Sequence, residues 1–299
     1  PVLACPGAPP SRLARALARF EAGGPELACL QARLAIHDTR EGFLARQFAL
    51  EYAGLFRVLL PGLAAEGLPI PLGGTSNAFR TEALRAIGGW DPWNVTEDAD
   101  LGLRLARAGH RVETLDSDTY EEAPETARDW IAQRSRWFKG WMITLIVHAR
   151  PPGPGRPPFG RDGLVAVAGT LLATLVAALI YPLLPVALVL AAVAGAGFAG
   201  GPLEAVVFGV GLAAFAGGHG FALATLWRGA RLAGLDPTPR DLLGAPVYWC
   251  LGAVAAWRAA FELVVDPWRW AKTPHRGGAA MTERSRPEPS RAGALAAGE

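Results

Sequence analysis

The sequence predicts an α/β domain followed by a membrane-embedded helical region. Three observations carry this reading. Up to about residue 150, short apolar stretches alternate with helix-period segments, as in α/β folds. From Gly163 to Leu203 no residue is charged, and from Ala205 to Trp227 only His219 could carry charge. Between the two parts runs "PPGPGRPPFGRDG", a proline–glycine stretch that breaks helices and marks a boundary. The predicted organisation is an α/β domain over residues 1–150, a linker over 151–162, a transmembrane and interfacial helical region over 163–275, and a disordered tail over 276–299.

Each element follows from its own pattern. Residues 11–22 read as a helix, with Leu13, Ala16, Leu17 and Phe20 at helical spacing. Ser11 is its expected N-cap and Gly23-Gly24 its stop. "ELACLQARLAIH" reads as a buried strand, and "TREGFLARQFALEYAGLFRVLLPGL" as a long helix with a broad apolar stripe. "LPIPLGGTSNAFR" reads as a short strand running into a glycine turn. "TEALRAIGGW" is a short helix capped by Thr81 and ended by Gly88-Gly89. In "TEDADLGLRLARAGH" Thr96 is the cap, acids fill the first turn, arginines the last, and Gly109 ends the helix. "RVETLD" is a strand, and "ETARDWIAQRSRWFKGWMITLIVHAR" a long amphipathic helix.

A bilayer core of about 30 Å needs roughly 20 helical residues. The first uncharged run is therefore one long span or a hairpin broken near Tyr181-Pro182 and Pro185, and the second run is one span. Cationic clusters before the first run and after the second favour an even number of spans between them. "APVYWCLGAVAAWRAAFELVVDPWRWAKTPH" reads as an interfacial helix or a third span, because Arg258 and Glu262 interrupt it. The chain is 51% hydrophobic with a mean hydropathy of +0.22, which agrees with membrane residence. Its net charge of +2 gives no bulk electrostatic case for nucleic acid. Cys5, Cys29 and Cys250 have neither disulfide-framework nor metal-ligand spacing, which fits a reducing compartment. The chain opens "PVLACPGAPPSRLARAL" without methionine, and a truncated or misassigned start is expected.

Three stretches could carry chemistry. Glu97, Asp98 and Asp100 fall in one first helical turn, where they either complement the helix dipole or include a general base. In "GGTSNAFR", Gly73 and Gly74 allow close backbone approach, while Thr75, Ser76 and Asn77 offer hydrogen bonds; a plain turn explains the same residues. In "QRSRWFKGW", Gln133, Arg136, Trp137 and Gly140 share a helical face. Trp137 could stack on a sugar ring and Arg136 could hold phosphate oxygens. An amphipathic helix on a membrane surface has the same composition, and periodicity does not separate the two.

Taken in order, "TED" at Thr96-Glu97-Asp98, "QRSRW" in the Q-x-x-R-W pattern, and the membrane runs resemble the family 2 membrane glycosyltransferases of the cellulose synthase and hyaluronan synthase type. "GGTSNAFR" followed by "LRAIGGWD" sits where that family has its acceptor-side strand and following helix, and "WAKTPH" resembles a tail of bacterial members. The resemblance covers residues 10–275. It implies the C-terminal part of a GT-A (Rossmann-like) domain on the cytoplasmic face of a bacterial inner membrane, in a multi-pass protein. The implied reaction moves a hexose, with inversion, from a nucleotide-diphosphate sugar such as a UDP-sugar to a growing β-linked polysaccharide or glycan. Membrane lipid is the other implied partner, and secretion partners stay unspecified.

By the same resemblance Asp98 would be the general base. Thr96, Glu97, Gly74, Thr75 and Ser76 would contact substrate, and Gln133, Arg136 and Trp137 would line the acceptor end and the donor diphosphate. The family uses a divalent cation, Mg or Mn, held by a D-x-D motif. Where that motif would fall the chain reads "VLACPGAPPSRL", with no acid, so no metal ligands are expected within this chain. Two alternatives remain: a non-processive transferase acting on a lipid or short acceptor, and a degenerate, non-catalytic membrane scaffold.

Overall fold

The computed structural model describes residues 2–4, 10–37, 42–151, 153, 157–194 and 201–267. The expected disordered tail, "WAKTPH" and parts of the linker and of "VLACPGAPPSRL" lie outside them. The α/β part holds a four-stranded mixed sheet in the order β1-β3-β2-β4. Its strands are β1 (Val2–Ala4), β2 (Leu27–Ile36), β3 (Asn77–Arg80) and β4 (Arg111–Glu121). β3 runs antiparallel to both β1 and β2, with Leu30 opposite Ala78, and β4 runs parallel to β2.

β2 is buried on both faces because helices cover both. On one face Ala16 and Phe20 of α1 (Pro10–Gly23) pack against Leu27, Leu30, Ala32, Ala78 and Leu115. On the other, Phe48, Tyr52 and Phe56 of α2 (Phe43–Ala65) meet Ala28, Cys29, Leu34 and Ile36. Leu101 and Leu105 of α4 (Glu97–Arg107) complete that core. α3 (Thr81–Ala86) links β3 to the loop before α4.

Several local expectations shift. Ser11 lies inside α1, which begins at Pro10; proline suits a first turn because it has no N–H to satisfy. The strand in "LPIPLGGTSNAFR" follows the turn instead of preceding it. Pro69 and Pro71 have no N–H for a ladder, so the stretch before the turn stays unpaired. Thr81 is the first residue of α3, with Arg80 in the cap position. β4 runs past "RVETLD" to Glu121, pairing with β2 across an irregularity at Ala32/Arg33.

α5 (Ala127–His148) crosses the end of the domain, with the Thr126 side chain accepting from the Asp129 N–H as its N-cap. Among the described residues, four helices are long and apolar enough to cross a membrane: α2, α6 (Arg161–Ile180), α8 (Pro202–Leu232) and α9 (Pro239–Val265). α2 qualifies by length and composition while burying one face on the sheet. The first uncharged run splits at Tyr181-Pro182 into α6 and the shorter α7 (Leu183–Val193), which buries none of its side chains.

Small residues let α8 reach the α/β part. A side chain on Gly229 would sit 2.4 Å from the Gly54 backbone nitrogen, so the α8 and α2 backbones are in direct contact. α9 opens with a capping box between Thr238 and Asp241. It then runs alongside α5, with Tyr248 against Trp130 and Glu262 within 3.8 Å of Lys139.

Candidate active site

A cavity of about 1040 Å³ opens where α2, α4, α5, the 73–75 turn and α6 meet. Its walls include Asp98, Glu97, Gly74, Thr75, Gln133, Arg136 and Trp137. Residues far apart in sequence, from Leu34 to Pro267, thus converge on one space.

The 73–75 turn is held from below by Gln31. Its side-chain nitrogen donates to the carbonyls of Ala32 and Thr75, and its oxygen accepts from the Gly73 N–H at 2.8 Å. A Cβ at residue 74 would lie 3.1 Å from Asp98 Oδ2, so glycine there leaves room beside the carboxylate. Ser76 goes elsewhere. Its backbone is left-handed at φ 63°, and its hydroxyl bonds Thr119 and receives Arg12 on the far side of the sheet. Of the three turn residues expected to contact substrate, Gly74 and Thr75 face the cavity and Ser76 does not.

The start of α4 is fastened to α5 by a stripe at four-residue spacing. Gly140 lets α5 touch Thr96 directly: a Cβ there would fall 2.3 Å from Thr96 Oγ1. One turn on, Thr144 Oγ1 accepts from Asn94 Nδ2 at 2.7 Å, and Asn94 Oδ1 in turn accepts from the Thr96 N–H at 3.0 Å. A further turn on, His148 Nε2 lies 2.9 Å from Asp100 Oδ1. Thr96 occupies the cap position without capping through its side chain, because its hydroxyl is turned to Asn94.

This fastening separates the acids. Asp100 is buried between His148 and Arg104; burial alone would raise its pKa, but hydrogen bonds from both neighbours hold it below the ordinary carboxylate value. Asp98 faces the cavity, and burial lifts it to about 7, helped by Glu97 and opposed by the Ala99 N–H and Arg136. A carboxylate poised near neutrality is suited to taking a proton. Burial also lowers the Arg136 guanidinium, against the pull of Asp98 and Glu97.

Three cavity-lining residues hold unused hydrogen-bonding capacity. Gln133 Oε1, Arg134 Nε and Arg136 Nε are buried without a partner among the described residues. The site contains residues that periodicity did not single out. Arg134, not Arg136, is the cation against the Trp137 ring, 4.6 Å from its centroid. Glu51 pairs with Arg134 at 2.6 Å and is the single acid of α2; that lone acid in an apolar helix was its only sequence signal. Trp90, Trp93, Trp141 and Glu121 also line the cavity. Phe138 packs with Trp130, Leu175 and Tyr248. Among the described residues no three His, Cys, Asp or Glu side chains gather to hold a metal ion, so the residues present do not fit a divalent cation.

A family model described as "Glycosyl transferase family group 2" matches residues 8–200, well over half the chain. The chain belongs to this glycosyltransferase family. Curated relatives include a probable glycosyltransferase, YdaM, of Bacillus subtilis, 35% identical over 74 residues, or 24% of this chain and 18% of that protein. A probable glucomannan 4-beta-mannosyltransferase of Arabidopsis thaliana is 26% identical over 132 residues, 44% of this chain and 24% of the relative. A beta-monoglucosyldiacylglycerol synthase of Synechocystis sp. is 31% identical over 122 residues, 39% of this chain and 24% of the relative. The matched segments therefore span at most about a quarter of these glycosyltransferases' own lengths.

Proposed function

We propose that this chain is the base-bearing, acceptor-side part of an inverting GT-A glycosyltransferase at the cytoplasmic face of a bacterial inner membrane. It transfers a hexose from a nucleotide-diphosphate sugar, a UDP-sugar, to a growing β-linked polysaccharide or glycan. One observation carries the reading: Asp98, raised to about 7, shares a cavity with Gln133, Arg136 and Trp137. Family membership and the four apolar helices support it.

In this reading Asp98 Oδ2, the oxygen beside Gly74, takes the proton of the acceptor hydroxyl. The acceptor oxygen attacks the anomeric carbon, whose bond to the donor diphosphate breaks with inversion. Arg136 meets the departing phosphate oxygens and Gln133 accepts from a sugar hydroxyl, using the capacity that nothing among the described residues satisfies. Trp137 offers the acceptor ring its face away from Arg134. The family's divalent cation would supply charge stabilisation to the diphosphate, and its ligands are to be sought outside the described residues.

A second reading, transfer to a lipid acceptor, is favoured by one wall of the cavity. Leu55, Leu59 and Leu63 of α2 and Leu171 of α6 are among its lining residues. Membranes containing the protein, supplied with radiolabelled UDP-glucose, UDP-N-acetylglucosamine or GDP-mannose, decide between them. Polymer retained on a filter supports the first reading, and label extracted into organic solvent the second. Absence of transfer from every donor overturns both. Trp137→Ala is expected to raise the acceptor KM about tenfold with the donor KM little changed, the change that about 1.4 kcal/mol of lost ring contact produces. A larger effect on the donor would remove Trp137 from the acceptor side.

A further inference from the structure

Arg134 is nearly inaccessible, and both of its terminal nitrogens are engaged while its Nε has no partner among the described residues. Its Nη1 donates to Glu51 Oε1 at 2.6 Å, and its Nη2 donates to Glu51 Oε2 and, at 3.2 Å, to the hydroxyl of Tyr248. That hydroxyl donates to Glu51 Oε2 at 2.6 Å and accepts from Trp130 Nε1 at 3.1 Å. The guanidinium is thereby fixed by a bidentate carboxylate and a phenol. Its central carbon lies 4.6 Å from the Trp137 centroid, 4.8 Å from Phe48 and 5.1 Å from Trp130. Turning the Trp137 ring would uncover a buried cation, which is costly in so apolar a setting. Glu51, Arg134 and Trp137 line the cavity, whereas Tyr248 comes from α9 and does not reach it.

We infer that Tyr248, acting through Glu51 and Arg134, is a positioning residue that sets the Trp137 ring for the acceptor sugar. The inference rests on the acceptor role given to Trp137 above. It makes α9 part of acceptor recognition and not only a helix packed on α5. A purely structural role would be shared by a second polar contact between these helices, Lys139 with Glu262, so that pair supplies the control.

The experiment uses the full chain in detergent, labelled with 5-fluorotryptophan, with the Trp137 fluorine resonance assigned by Trp137→Phe. Cellobiose and β-1,4-mannobiose are the acceptor probes. In Tyr248→Phe the Trp137 resonance is expected to move or broaden while that of Trp227 stays in place. The disaccharide concentration that half-shifts it should rise about five- to tenfold, the loss expected of one net intramolecular hydrogen bond. Glu262→Gln should leave both readouts at wild-type values. A Trp137 resonance unmoved in Tyr248→Phe overturns the inference, and so does an equal loss in Glu262→Gln. A wild-type resonance that responds to neither disaccharide overturns the acceptor platform and the inference with it. Sugar transfer alongside any of these failures leaves the transferase reading standing. A Trp137 shift without transfer from any donor overturns that reading alone.

Discussion

Asp98→Asn is expected to lower sugar transfer by about 10²–10⁴, the usual contribution of a positioned general base, and to make the folded protein more stable above neutral pH. The two effects share one cause. Burial raises the Asp98 carboxyl to about 7, so at pH 8 the native state holds an ionised group that its surroundings disfavour. Between the ordinary carboxylate pKa of 3.8 and about 7, the native state binds more protons at this position than the unfolded chain does. Stability therefore falls as pH rises through that window, and the whole penalty is present above it. Each tenfold displacement of the ionisation equilibrium corresponds to about 1.4 kcal/mol, so the asparagine variant should melt several degrees higher at pH 8 and lose that advantage near pH 4. Wild-type kcat/KM should climb tenfold per pH unit below about 7 and level off above it, because only the ionised carboxylate can take the acceptor proton. Retained turnover in the variant, or a flat profile between pH 5 and 8, would remove Asp98 as the base.

Gly140→Ala should harm both folding and transfer. The added methyl would meet Thr96 Oγ1, Cγ2 and Cβ at 2.3, 2.5 and 2.7 Å, and none of these is the far end of a flexible chain. α4 and α5 must separate, and overpacking of this kind costs about 1–3 kcal/mol. The separation also moves Asp98 relative to Gln133, Arg136 and Trp137, and a misplacement of about 1 Å can cost about 10²-fold in rate. Thr96→Gly in the same chain removes the obstructing atoms and should recover part of the thermal midpoint. Differential scanning fluorimetry with transfer assays on both variants checks this. A Gly140→Ala protein with wild-type melting and turnover would mean that the α4–α5 contact does not set the site.

Much of the secondary structure was legible because it is local. The acids at the start of α4, the arginines at its end and Gly109 after it are a helix written in the sequence, and the helix lies there. The buried strand at Leu27–Ile36 follows equally from composition, whereas proline chemistry offered the break at Tyr181-Pro182 only as one of two readings of the first uncharged run. The misread strand before "GGTSNAFR" shows where that approach ends. Two prolines in an apolar stretch look extended, but strand membership depends on a neighbour that supplies a ladder, and β2 pairs with Asn77–Arg80 instead. The site was half legible for the same reason. Helical spacing puts Gln133, Arg136 and Trp137 on one face, and all three line the cavity. Spacing could not reveal Glu51 or Tyr248, because each meets Arg134 only through the packing of a different helix.

The sequence by itself determined that an α/β domain precedes long apolar helices, that three acids gather at one helix start, and that a cationic, aromatic helix follows. These are properties of short segments, set by periodicity, caps and the absence of charge. The tertiary structure decided which acid could act. Asp100 meets His148, 48 residues away, and is held ionised, while Asp98 faces the cavity and is raised toward neutrality. It decided likewise that Arg134 lies against Trp137 with its charge met by Glu51, leaving Arg136 with hydrogen-bonding capacity unused at the cavity wall. Neighbouring residues of like charge are interchangeable along a chain; burial and the partners that other helices bring set their energies apart.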